Sequence, residues 1–146
     1  MAAESLSAGE LLGGFRLEKI IHAGGMATIW KVTREDIPLP MVMKIPWLKD
    51  GDDPSFIVSF EAEQMIMPKL TGKHVPRFIA GGDFTNQPFI VMEYIPGNSL
   101  DTRLDKAPFQ ADEVAVIGAK VATALHDLHR QNVIHLDVTP DNILFR

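Results

Sequence analysis

The chain contains no cysteine, which excludes disulfides, zinc–thiolate centres and cysteine nucleophiles. No uncharged apolar run approaches the ~20 residues needed to cross a bilayer. The opening stretch, MAAESLSAGELLGGF, lacks both a basic n-region and a long apolar h-region, so it does not read as a secretory signal. A soluble, cytoplasmic protein is the expectation, with any membrane anchor outside this chain. Clustered Lys and Arg are also missing, and the formal net charge is −5. Phosphate-backbone binding needs such clusters, so a nucleic-acid partner is not expected. There are no internal repeats and no low-complexity tracts.

What is present is ordinary globular material: 146 residues, 46% apolar and 23% charged, enough for one sizeable core. Phe15–Ile21 alternates apolar and polar residues as a half-buried strand does. A Gly24-Gly25 turn leads into a β-branched run, Thr28–Thr33, predicting a hairpin. After Pro38 and Pro40, Met41–Ile45 predicts a third strand. Residues 50–54 read as loop, Ser55 as a helix N-cap, and Phe56–Leu70 as a helix that Pro68 kinks or ends early. Arg77–Ala80 and Pro88–Ile95 predict two further strands. The expectation is an α+β lobe of five antiparallel strands and one helix over 15–95, behind an extension at 1–14. Pro96-Gly97-Asn98 is a candidate hinge. Ala111–Arg130 then predicts an amphipathic helix with Val114, Ile117, Val121, Leu125 and Leu128 on one face. A second, helical region over 96–146 is thereby begun.

The most specific signal is His135-Leu-Asp137-Val-Thr139-Pro140-Asp141-Asn142-Ile-Leu144. A carboxylate and a carboxamide five positions apart, in a loop between apolar segments, can converge on one phosphoryl group. Asp137 can accept a nucleophile's proton, and the amide oxygen of Asn142 can coordinate Mg²⁺. An isolated Asp-to-Asn spacing is usually just a polar loop; H-x-D-x-x-P-x-N directly after a helix is far more specific. His126, His129 and His135 invite a zinc reading, but no carboxylate completes the set, and helix histidines more often cap or pack.

With these motifs in this order, the sequence from Phe15 to Phe145 resembles the eukaryotic-like serine/threonine protein kinases of bacteria. The resemblance implies ATP and Mg²⁺ as cofactors and a protein hydroxyl as phosphate acceptor. It makes Asp137 the catalytic base and Asn142 a magnesium ligand. Lys44 takes the place of the strand lysine that holds the α- and β-phosphates, with Glu63 as its orienting carboxylate. Glu61 is a nearby competitor, two positions around the helix. Gly24 and Gly25 stand in the phosphate-covering loop. Ile21, Ile29, Val42 and Leu144 would enclose the adenine, beside a gatekeeper at Met92. Backbone groups at Glu93 and Ile95 would bond its edge, and Ser99 falls within the same nucleotide-binding set.

Several positions depart from the family pattern. The loop reads His22-Ala-Gly24-Gly25-Met-Ala27, keeping the central glycine and replacing the outer two with His22 and Ala27. Leu136 stands where regulated kinases carry an arginine that reads an activation-loop phosphate. Thr139 stands where a lysine usually neutralises the γ-phosphate. No D-F-G motif occurs before Arg146, so the chain reads as the N-terminal part of a longer kinase. Two other readings stay open: a pseudokinase-like nucleotide-binding or regulatory module, and a small-molecule phosphotransferase of the same fold. The exposed stripe of the 111–130 helix is expected to self-associate or to take the rest of the helical lobe. Without the D-F-G carboxylate the phosphoryl charge is poorly neutralised, so residues 1–146 alone are expected to show little or no phosphotransfer. Incorporation of labelled phosphate into a generic protein substrate measures this.

Overall fold

A computed structural model describes residues 6–47 and 53–146; residues 50–52 of the expected loop lie outside the described residues. The strands are β1 (Leu11–Leu12), β2 (Phe15–Ala23), β3 (Ala27–Arg34), β4 (Ile37–Pro46), β5 (Phe78–Gly82) and β6 (Phe89–Glu93). They form one antiparallel sheet in the order β1-β2-β3-β4-β6-β5. The helices are α1 (Pro54–Ile66) and α2 (Ala111–Arg130). Contacts divide the chain into two compact units, 1–69 with 76–94, and 70–75 with 95–146.

The sheet has six strands where five were expected. The added one, β1, is only two residues long and turns into β2 through Gly13-Gly14, pairing Leu12 with Phe15. Both turn glycines have positive φ, 59° and 87°, which suits a tight two-residue hairpin. So short a strand has no readable alternation, and that is why periodicity missed it.

β4 begins at Ile37 and takes in Pro38 and Pro40. Pairing with β6 starts only at Met41, so the prolines occupy a stretch whose second side carries no ladder. There the Pro40 carbonyl instead accepts from the Tyr94 N–H at 2.9 Å. The cap of α1 is Asp53, not Ser55: its Oδ1 accepts from the Ser55 N–H at 2.9 Å. Pro54 tolerates the first helical position because that N–H would be unbonded anyway. The bond from the Ser55 backbone N–H holds the Asp53 carboxyl below its ordinary value of 3.8. α1 ends at Ile66 and gives way to a 3₁₀ turn, Met67–Lys69, because Pro68 cannot continue the ladder.

Alternation sorts the two faces of the sheet. Phe15, Leu17, Trp30, Val32, Met41, Met43, Ile45, Phe89 and Val91 form the buried core on one side, with Leu6, Leu12, Ile37, Ile79 and Ala80 packed against them. The other face carries Ile29, Val42, Lys44, Ile90 and Met92, which are paired across β3, β4 and β6.

In the second unit, α2 starts with a reciprocal capping box between Gln110 and Glu113. It ends in a Schellman motif: Asn132 adopts φ 62°, its N–H bonds the His129 carbonyl, and the Val133 N–H bonds that of Leu128. The Gln131 side-chain amide pairs with both backbone groups of Thr71, at 2.8 and 3.0 Å, tying 70–75 to the end of α2. Along the expected stripe only Leu128 is buried, and Val114 is 54% exposed. No helix among the described residues is long and apolar enough to cross a membrane.

Gly13 is the tightest element of the β1–β2 turn. A Cβ there would lie 2.4 Å from Cζ of Phe89, at a φ that L side chains rarely adopt. Gly13→Ala is expected to lower stability by about 1–3 kcal/mol, measured as a reduced denaturation midpoint at unchanged m-value.

Candidate active site

Lys44 lies on β4 directly opposite Ile29 of β3 and Ile90 of β6. Its Nζ meets Oε2 of Glu63 on α1 at 2.8 Å, with the two side chains 30% and 34% exposed. Partial burial weakens water's competition for this pair without isolating it. Glu61 makes no such contact with Lys44 among the described residues. α1 is also tied down by Gln64, whose Nε2 donates to the carbonyls of Gly82 at 2.5 Å and Phe89 at 3.1 Å. Phe60, buried, meets Phe84 edge-on at 6.3 Å.

Val42 and Met92 face each other across β4 and β6, on the same side as Lys44 and Ile29. Ile90, fully buried and opposite Lys44, completes this patch and was not singled out from the sequence. Only strand register shows that it shares the lysine's face. Ile21 sits at a bulge, between the pairs Ile20–Trp30 and His22–Ile29, and is 40% exposed.

Gly24 and Gly25 form the loop between β2 and β3, and neither has positive φ. Glycine is therefore not required there by backbone conformation. A Cβ on Gly25 would meet nothing within 4 Å, so its surface is open to a close approach. One on Gly24 would lie 3.3 Å from Nε2 of His22. The N–H groups of Gly25 and Met26 find no hydrogen-bond partner among the described residues. Glu93 ends β6, with its N–H on the Arg77 carbonyl at 2.8 Å and its carboxylate on the Arg77 N–H at 3.1 Å.

The remaining candidates belong to the second unit. Ile95 keeps its backbone N–H and C=O unbonded among the described residues. Ser99 and Leu144 form an isolated antiparallel bridge. It is flanked by the bonds Leu100 N–H to Ile143 C=O at 2.8 Å and Phe145 N–H to Asn98 C=O at 3.1 Å. That bridge fixes the exit of the 135–142 loop.

Within the loop, the Asn142 Nδ2 group donates to the Asp137 backbone carbonyl at 3.0 Å and to its Oδ2 at 3.2 Å. With the amide N–H₂ so engaged, the carbonyl oxygen of Asn142 is the end left for a hard cation. His135 Nδ1 accepts the Asp137 N–H at 3.1 Å, so this histidine orients the backbone of the 135–142 loop. No three His, Asp or Glu side chains among the described residues converge as a metal site. The Thr139 hydroxyl is spent on Asp141. Leu136 has φ 64° and is 89% exposed.

The protein kinase domain family matches residues 15–146. Serine/threonine-protein kinase PknJ of Mycobacterium tuberculosis (strain ATCC 25618 / H37Rv) is 29% identical over 142 residues, 97% of this chain and 24% of the relative. A probable serine/threonine-protein kinase of Clostridium perfringens (strain 13 / Type A), CPE1738, is 31% identical over 140 residues, 93% of this chain and 20% of the relative. Among crystal structures, a mutant of the Mycobacterium tuberculosis PknI kinase domain is similar with TM-score 0.80 at 25% identity. That match covers 97% of this chain and 58% of the other. The chain thus spans about a quarter or less of the length of the two named relatives.

Proposed function

This chain belongs to the protein kinase domain family, and from that premise we propose that it carries the nucleotide-binding unit and catalytic loop of a serine/threonine protein kinase. The reaction is transfer of the γ-phosphate of ATP to a protein hydroxyl. The observation that carries this reading is the Lys44–Glu63 pair at 2.8 Å. A lysine on a sheet face, held by a helix carboxylate, is a fixed cation with N–H donors to spare for phosphate oxygens.

The other residues fit the same chemistry. The unbonded N–H groups of Gly25 and Met26 suit phosphate oxygens. The unbonded backbone of Ile95 suits the donor and acceptor edge of a purine. Asp137 takes the proton of the acceptor hydroxyl, and Asn142 holds it in place while presenting its own carbonyl oxygen. A bound magnesium ion neutralises the charge on the phosphates; Asn142 is the residue of this chain that would hold it. Enzymes of this class work where ATP is abundant, which supports a cytoplasmic location.

One observation favours the regulatory-module alternative. The Thr139 hydroxyl is turned to Asp141, so this position offers neither charge nor a free donor to a γ-phosphate. The test that separates the readings is Lys44→Met in the full-length protein that contains this chain. A kinase should lose roughly 10²-fold or more in turnover of MgATP while remaining folded. Glu63→Gln should follow it in direction and Glu61→Gln should not. An unchanged rate in folded Lys44→Met would place the phosphate anchor elsewhere, and absence of turnover in the parent would favour the regulatory module.

The exposed stripe of α2 calls for an apolar cover. Burying a side chain such as Val114 contributes about 1.5–3 kcal/mol, which drives either self-association or docking of further helices of a longer protein. Sedimentation of residues 1–146 is expected to show concentration-dependent association, and a longer protein that includes the helical lobe is expected to lose it.

A further inference from the structure

Trp47 leaves β4 three residues after Lys44 and reaches back to the β2–β3 loop. Its indole N–H donates to the Gly24 carbonyl at 2.8 Å, and its backbone N–H donates to the Met26 carbonyl at 2.9 Å. The loop closes on itself through the Gly24 N–H and the Ala27 carbonyl at 3.0 Å. Three hydrogen bonds therefore hold the three residues between β2 and β3, and two of them come from one side chain and backbone outside the loop.

We propose that Trp47 is a positioning residue for this loop, fixing the N–H groups that cover the nucleotide phosphates; the inference rests on the nucleotide-binding reading above. The physical reason lies in the peptide plane. A trans peptide points its C=O and N–H in opposite directions, so capture of the Gly24 carbonyl by the indole aims the Gly25 N–H the other way. That N–H and its neighbour at Met26 are the two left without partners among the described residues. A glycine loop without such a tether must be ordered when ligand binds, and that entropy is lost from affinity.

The strand geometry extends the effect. Ala27 pairs with Pro46 and Ile29 with Lys44, so the Trp47–Met26 bond continues the β3–β4 ladder one step past its end. Loop and Lys44 are thereby carried by one continuous piece of sheet. The departures at His22 and Ala27 are consistent with this arrangement: the loop's shape is set by an external clamp and needs no left-handed residue.

A plain packing role for the ring is the competing explanation, and Trp47→Phe separates the two because it keeps the ring and removes only the donor. In the full-length protein, hydrogen exchange of residues 22–28 and MgATP affinity are measured together. Trp47 is 38% exposed, so water partly replaces the lost bond. Loss of one neutral hydrogen bond then predicts roughly 2- to 10-fold faster exchange in the loop and a similar rise in Kd or KM for MgATP, with kcat changed less. Trp47→His, which retains a ring N–H, should recover part of both. Unchanged exchange in Trp47→Phe overturns the clamp, and faster exchange with unchanged affinity overturns its positioning role. Failure of the wild-type protein itself to bind MgATP would instead overturn the nucleotide-binding reading, whatever the exchange shows.

Discussion

The register of β3, β4 and β6 is the constraint on which the first unit depends. Side chains alternate along a strand, so a slip of one residue would exchange the two faces. In the observed register Met41, Met43 and Ile45 enter the core, and Val42 and Lys44 take the opposite face. The same register puts Ile29 and Ile90 beside Lys44. Burial of the core thus fixes where the lysine can be, and α1 needs only to bring Glu63 within reach. An ion pair with both side chains about one-third exposed is not a strong stabiliser by itself. Its role is to hold a cation in one place on a framework stabilised by apolar packing.

The second unit solves a different problem, that of holding an exposed polar loop in a defined shape. Here the work is done by hydrogen bonds at the loop's ends and across its middle. The Schellman turn at Asn132 stops α2, the Ser99–Leu144 bridge fixes the exit, and Asn142 spans back to Asp137. Exposed hydrogen bonds contribute little net free energy each. They can nevertheless select one arrangement of a carboxylate and a carboxamide among many, which is the property that proton acceptance and cation binding require.

Much of the candidate site was legible as residues and little of it as geometry. Asp137 and Asn142 stood out because a short, ordered motif confines them to one loop. Lys44 and Glu63 became candidates only through resemblance to a family, since a strand lysine and a helix glutamate are common and nineteen residues separate them. Ile90 and Trp47 left no signal at all. An isoleucine in a strand and a tryptophan at its end are unremarkable until register shows what lies opposite.

Alternation and helical period in the sequence by themselves determined most of the strands, the 20-residue α2 and the sequence of motifs that marks the family. These are local properties, encoded by which residue types recur at which spacing. The tertiary structure decided the short edge strand β1, the entry of Pro38 and Pro40 into β4, and the cap at Asp53 in place of Ser55. It also decided the 2.8 Å contact between Lys44 and Glu63 and the hydrogen bond from Trp47 to Gly24. Each of these depends on a partner distant in sequence or on a backbone group whose neighbour is set by packing, and neither is written in local composition.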